Sequence, residues 1–217
     1  MSRMAGLGMV NFPLLLAFVA AASVLTITPG ADTAMVLRAA TVEGRRAASL
    51  AAFGVALGCL CWGAFTALGL GALLRASELA YSIVKCAGAG YLLWLGARLL
   101  IWPRAALEGA PHRRRAGSGR EAFWRGFFTN LLNPKIGLFY VTFLPQFVPV
   151  HAGVAGYSFG LACLHVLLTL AWFTALIAAT APLGNWLRRP AAVRLLDRLT
   201  GGIFVAFGLR LASSTVR

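Results

Sequence analysis

Phe12-Pro13-Leu14-Leu15-Leu16-Ala17-Phe18-Val19-Ala20-Ala21-Ala22-Ser23-Val24-Leu25-Thr26-Ile27-Thr28-Pro29-Gly30-Ala31 runs without a single charge. About 20 apolar residues, rising about 1.5 Å each as a helix, cover a hydrocarbon core of about 30 Å. A cleaved signal peptide would stop sooner, at a small-residue cleavage site. Ala20-Ala21-Ala22-Ser23 imitates such a site, but the apolar run carries on past it. The stretch predicts a first transmembrane helix. Its end is unusual, because Thr28-Pro29-Gly30 interrupts it and Asp32 follows two residues later.

The rest of the chain agrees with a membrane solvent. Of 217 residues, 59% are apolar and only 12% charged, against about a quarter in a soluble domain. Mean hydropathy is +0.79. Too little charge is left to cover a water-facing body. The charge that remains is 20 Lys and Arg against 6 Asp and Glu, net +14. Nucleic-acid binding would want those cations on one continuous face. They fall instead in short clusters between uncharged runs, so the partner they imply is the lipid bilayer and no nucleic acid.

Cutting the chain at its charges predicts an all-α integral membrane protein of six spans, near residues 12–37, 47–74, 79–100, 123–148, 153–183 and 195–212. The sixth is the weakest, because only the stretch between Arg198 and Arg210 is free of charge. The loop after span one carries Arg38, Arg45 and Arg46, and the loop after span three carries seven arginines, Arg113-Arg114-Arg115 among them. The loop after span five carries Arg188, Arg189, Arg194 and Arg198. The loops between these are poor in cations: Arg75 stands beside Glu78, and the fourth loop has only His151. Under the positive-inside rule the first, third and fifth loops are cytoplasmic and both termini lie outside, provided span six crosses. The expected location is a bacterial cytoplasmic (inner) membrane, crossed many times.

The two halves look related. Spans one and four each contain a proline break, Thr28-Pro29-Gly30 and Asn133-Pro134-Lys135. Spans two and five each carry a small-xxx-small pair, Gly54/Gly58 and Gly156/Gly160. Such pairs let helices approach closely, within one chain or in a homodimer. Spans three and six each end in a Gly pair followed by Arg-Leu, at Gly90/Gly96 and Gly202/Gly208. Three correspondences in the same order predict two inverted three-helix repeats in one domain, about 12–102 and 121–213, joined by a cytoplasmic loop at about 103–120.

The breaks are where chemistry is expected. Proline lacks an N–H and clashes with the preceding turn, and an opened backbone is tolerated in lipid only where it lines an enclosed or watery cavity. Pro29 precedes Arg38 by nine residues, and Pro134 follows Arg125 by nine. Both breaks therefore lie about 13 Å from the inner charges, near mid-membrane. Asp32 and Lys135 follow them, and a charge at depth costs at least about 2.5–3.5 kcal/mol. Such charges persist when they pair with each other, a substrate or a coupling ion. Asp32 would attract a substrate ammonium or carry a coupling proton, and Lys135 would meet a carboxylate of the substrate or of Asp32. The plainer alternative for Asp32 is a cap on the restarted helix. Thr26, Thr28, Thr33, Asn130 and Asn133 flank the breaks with hydroxyls and amides. The candidate substrate or coupling residues are thus Thr28, Pro29, Gly30, Asp32, Thr33, Asn130, Asn133, Pro134 and Lys135. Gln146 is a candidate gate.

His165 reads as a packed or hydrogen-bonded histidine sooner than a proton relay, and Cys59, Cys61, Cys86 and Cys163 as small buried apolar side chains, with neither a disulfide nor a zinc spacing. No metal site is expected. Gly-x-Ser-x-Gly, His-Glu-x-x-His and the P-loop pattern are absent, so neither an enzyme nor a cofactor is implied.

Three motifs carry a family resemblance. Thr28-Pro29-Gly30-Ala31-Asp32-Thr33-Ala34-Met35-Val36-Leu37 resembles the first-span signature of the LysE/RhtB amino-acid exporters. Gly88-Ala89-Gly90-Tyr91-Leu92-Leu93-Trp94-Leu95-Gly96 is similar to its third-span signature, and Phe123-Trp124-Arg125-Gly126-Phe127-Phe128-Thr129-Asn130-Leu131-Leu132-Asn133-Pro134-Lys135 to its fourth. Leu144-Pro145-Gln146-Phe147 fits as well. Ala31 stands where the family usually carries a second proline. The resemblance implies a secondary exporter of amino acids or close derivatives, driven by the proton gradient, with its site between spans one and four. The alternatives are a metal-ion or small-cation exporter and a non-transporting membrane scaffold or subunit.

Overall fold

The computed structural model describes residues 11–76, 78–103, 118–149, 152–187 and 189–213. The arginine-rich loop expected between spans three and four lies almost wholly outside these residues, as does His151. All regular structure among the described residues is helical. The first apolar run forms α1 (Phe12–Ile27), started by an Asn11 side chain that accepts from the Leu14 amide at 3.2 Å, with Pro13 in its first turn. Pro29 ends it where the sequence predicts. The chain restarts as α2 (Ala31–Arg38), bent by 54° from α1, and passes through a π-helical turn, Ala39–Glu43. Gly44 then turns the chain at φ +93°, a backbone angle that glycine adopts without a Cβ clash.

Long helices follow, α3 (Arg45–Ala76) and α4 (Glu78–Ile101). The second half opens with α5 (Gly119–Leu131), where Ser118 accepts from the Glu121 amide in a Ser-x-x-Glu cap. Pro134 breaks the fourth span as Pro29 breaks the first. The chain continues as α6 (Pro134–Leu138), a π-helical turn (Phe139–Phe143) and a 3₁₀ turn (Leu144–Phe147). It closes with α7 (Val154–Ala178), α8 (Thr180–Leu187) and α9 (Pro190–Ser213).

Two described helices are long and apolar enough to cross a membrane unaided, Arg45–Gly69 and Val154–Ala178. The bent pair Phe12–Ile27 and Ala31–Glu43 makes a third crossing when taken as one span. Cys86–Ile101 is apolar but shorter. Span six falls outside this set because Arg194, Asp197 and Arg198 dilute its first turns.

Glycines set the closest helix contacts. On α3, a Cβ added to Gly54 would overlap the Phe123 carbonyl oxygen of α5, and one on Gly126 would overlap the Ala51 carbonyl oxygen. A Cβ on Gly58 would strike the Asn130 side chain. These contacts advance together along both helices, so α3 and α5 run parallel. On α4, Gly96 meets Val205 of α9, while Gly208 of α9 meets Leu93 of α4. These contacts advance in opposite senses, so α4 and α9 are antiparallel. The motif in span five behaves differently: Gly156 and Gly160 face outward, with nothing within 4 Å of an added Cβ. The same spacing therefore cements a helix pair on α3 and lies open on α7.

An aromatic cluster closes the other end of the broken spans. Phe18 of α1 meets Phe147 edge-on at 5.3 Å, and Phe143 meets Phe207 of α9 at 4.4 Å between centroids. Glu43, beyond α2, pairs with Arg125 of α5, tying the end of the first broken span to the start of the second. The cysteines only partly follow their expected burial: Cys59 is buried, Cys61 and Cys163 are half-buried and Cys86 is exposed, all as free thiols.

A valine at Gly126 would have to displace backbone, and overpacking of this kind costs about 1–3 kcal/mol or more. Gly126→Val is expected to lower the melting temperature of the detergent-purified chain or to leave too little folded protein to purify. Gly156→Val, on the open face of α7, should melt like the parent; equal melting of both variants would remove the α3–α5 contact as a determinant of stability.

Candidate functional site

The two breaks face each other, and the second satisfies groups that the first leaves open. A helix end leaves carbonyls without partners, and in lipid water cannot supply them. The Lys135 ammonium, from the first turn after the second break, donates to the carbonyls of Leu25 and Thr28 at 3.2 Å each. These lie at the C-terminus of α1, where the helix dipole favours a cation. Lys135 thus acts across the breaks as a cap, a partner its sequence position did not disclose. The second break caps itself, the Asn133 side chain accepting from the Lys135 amide at 3.1 Å.

Asp32 lies in the first turn of α2, as its spacing from Pro29 predicts, and is only 8% exposed. Asn130, fully buried at the end of α5, donates from Nδ2 to Asp32 Oδ2 at 2.8 Å. The same nitrogen lies 3.4 Å from Cys59 Sγ of α3. This bond also fixes the amide's orientation, since a flipped amide would set two acceptor oxygens against each other. Asp32 Oδ1, Asn130 Oδ1 and Thr26 Oγ1 are buried without a hydrogen-bond partner in the protein. All three oxygens belong to residues that line one space, and a buried polar atom ordinarily has a partner.

That space is a cavity lined by residues of α1, α2, α3, α5, α6 and α7 together with both breaks. It takes in Thr28, Gly30, Asp32, Thr33, Asn130, Asn133 and Lys135 of the expected set. Pro29 and Pro134 shape the breaks without lining it. The centre of a water molecule can occupy only about 20 Å³ of it, on the order of one water. The walls must part before anything the size of an amino acid can enter.

Gln146 is not among the lining residues. Its amide donates to the Thr142 carbonyl at 3.0 Å within its own turn. Several residues join the cavity that the sequence did not single out: Cys59 and Val55 of α3, and Thr169 and Phe173 of α7. His165 lines it too, while its Nδ1 lies 2.9 Å from the Tyr140 hydroxyl, so the expected packed, hydrogen-bonded histidine also faces the site. From α9, Thr200 shares a 2.6 Å hydrogen bond with Thr28 at the first break, and Asp197 one turn earlier is fully buried. Of the charges that weaken span six in hydropathy, Asp197 is turned inward while Arg194 and Arg198 are exposed. Among the described residues, no three His, Cys, Asp or Glu stand close enough to hold a metal ion.

An all-helical membrane chain with two broken helices meeting at a buried, charged cavity has the build of a translocator rather than an enzyme. The chain belongs to the LysE type translocator family, whose model matches residues 23–215. It is 33% identical over 208 residues to the leucine efflux protein of Enterobacter sp. (strain 638), covering 95% of this chain and 97% of that one. It is 31% identical over 196 residues to the threonine efflux protein of Salmonella typhi, covering 88% and 93%. It is also 29% identical over 207 residues to the uncharacterised membrane protein YrhP of Bacillus subtilis (strain 168), covering 92% and 99%. No solved structure matches the chain.

Removing the Asn130 amide would leave Asp32 Oδ2 without its donor, and hydrogen bonds to charged groups are worth roughly 1.5–3 kcal/mol. Asn130→Ala is expected to lower unfolding stability by about that amount. Combined with Asp32→Asn, the losses should fall short of additive, because both variants disturb one bond. Strict additivity in thermal melts of the four proteins would mean that the bond carries no stability.

Proposed function

We propose that this chain is a secondary exporter of amino acids or close derivatives in a bacterial cytoplasmic (inner) membrane, working by alternating access and coupled to the proton gradient. The observation that carries this reading is the pair of helix breaks closed on a buried cavity that holds both Asp32 and Lys135. Likeness to the leucine and threonine efflux proteins supports amino acids as the cargo. The substrate enters between the broken spans from the cytoplasm, the two halves rock, and it leaves outside. Asp32 binds the substrate's ammonium or carries the coupling proton. Lys135 holds the end of α1 in place and presents positive charge to a substrate carboxylate.

We read the architecture as one domain of six spans in two inverted repeats. Reciprocal packing of α4 and α9 supports it: residues 93 and 96 correspond to 205 and 208 in the other repeat. Gly96 meets Val205 as Gly208 meets Leu93, the exchange of partners that a twofold axis requires. A π-helical turn after the break in both span one and span four supports it as well. A C-terminal reporter active only outside the cytoplasm should then be active; silence there, with a cytoplasmic reporter active instead, would overturn six crossings with both termini outside.

Cells expressing the chain and fed a panel of dipeptides raise their internal amino acids by hydrolysis, which avoids a separate importer for each. Efflux of at least one amino acid should accelerate, and a protonophore or Asp32→Asn should abolish the acceleration at unchanged protein level. Unchanged efflux for every amino acid, with the protein in the membrane, would rule the reading out.

A further inference from the structure

We propose that the cavity selects amino acids whose side chain is uncharged and rejects both basic and acidic ones. This inference rests on the export reading above and concerns which amino acids the same site admits. Among the described residues, fifteen line the cavity, with Asp32 the one carboxylate and Lys135 the one ammonium of that set. A zwitterion brings one charge of each sign, which this wall matches.

The polar atoms of the wall assign the ends of such a ligand. Asp32 Oδ1 and Asn130 Oδ1 are acceptors without a donor, on two lining side chains that one hydrogen bond joins. An α-ammonium carries three N–H groups and would be held by the Asp32 carboxylate. An uncharged ligand offers weaker donors, and an anion offers none. The ligand's carboxylate is then left to the Lys135 ammonium, while Thr26 Oγ1 can donate to it.

What remains is the wall around the side chain. It is built of Leu25, Val55, Ile136 and Phe173 with the hydroxyls of Thr33 and Thr169. His165 faces the cavity with its Nδ1 engaged by the Tyr140 hydroxyl. None of these offers a second fixed charge. A lysine or arginine side chain would bring a cation with no carboxylate left to meet it, and a glutamate side chain an anion with no cation left. An unpaired charge in a closed, low-dielectric site costs several times more than a neutral group of the same shape. Selection by charge therefore follows from the wall's balance and does not depend on the size to which the cavity opens.

Isosteric pairs isolate this effect. Homoserine and 2,4-diaminobutyrate differ in one terminal group, a hydroxyl against an ammonium, and glutamine and glutamate differ likewise in an amide against a carboxylate. Inside-out vesicles containing the full chain, energised by an acid interior, would be offered labelled threonine, leucine, glutamine, homoserine, 2,4-diaminobutyrate, glutamate and lysine. One or more neutral amino acids should accumulate, and in each transported pair the charged member should be at least about tenfold slower. Accumulation of 2,4-diaminobutyrate or glutamate as fast as its neutral partner, or of lysine as fast as the best neutral amino acid, would overturn the charge rule while leaving export intact. No accumulation of any of the seven would overturn the export reading and this inference with it.

Discussion

Everything at the centre of this molecule depends on an opened backbone having to find its partners inside the protein. Between Ile27 and Ala31 the helix stops, and between Leu131 and Pro134 it stops again. Each stop exposes carbonyls and amides that water would satisfy in a soluble protein and that hydrocarbon cannot. The chain answers with side chains. Lys135 donates to the Leu25 and Thr28 carbonyls, Asn133 caps α6, and Thr28 turns its hydroxyl back to the Val24 carbonyl at 2.6 Å. A charge of each sign is thereby held at depth by local backbone geometry, Asp32 at a helix start and Lys135 at a helix end. The electrostatic cost of placing them there is offset by the dipoles of the broken helices themselves.

The frame around the breaks exists to hold them face to face. The parallel α3–α5 crossing is close enough that a methyl group at Gly54 or Gly126 would meet backbone. That closeness sets Asn130 beside Gly58 and within reach of Cys59 and Asp32. A looser crossing would pull Asn130 away from Asp32 and leave the carboxylate without a donor. On the far side α9 contributes Thr200 to the first break, so the last helix takes part in the site although its hydropathy is the weakest of the six predicted spans. The cavity's small size follows from the same packing, because these contacts close the walls upon one another. On the proposed reading, alternating access trades one set of break-to-break contacts for another.

Charge balance links this geometry to selectivity. One carboxylate and one ammonium in a closed space complement a zwitterion and leave nothing for a third charge. Lys135 serves both the fold and the site: by bonding the end of α1 it fixes where the positive charge lies, and so where a ligand's carboxylate can rest. If Lys135 reads the substrate as proposed, it cannot be altered for one purpose without disturbing the other.

The sequence by itself determined the solvent, the class and the position of the breaks. Hydropathy and charge clustering are sums over neighbouring residues, and a proline's missing N–H acts on its own turn, so Pro29, Pro134, Asp32 and Lys135 could be picked out without coordinates. The tertiary structure alone decided who meets whom. Lys135 reaches carbonyls about a hundred residues away, Thr200 pairs with Thr28, and Cys59 and His165 turn toward the cavity when the pattern made them ordinary core residues. Gln146, the candidate gate, bonds the Thr142 carbonyl of its own turn and does not line the cavity. Gly54/Gly58 and Gly156/Gly160 have the same spacing, yet the first pair is buried against α5 and the second lies open. The physical reason is rotational. Which face a helix shows to its neighbours depends on how all the helices are turned and crossed together, and in a chain apolar on every side the local pattern contains almost no record of that choice.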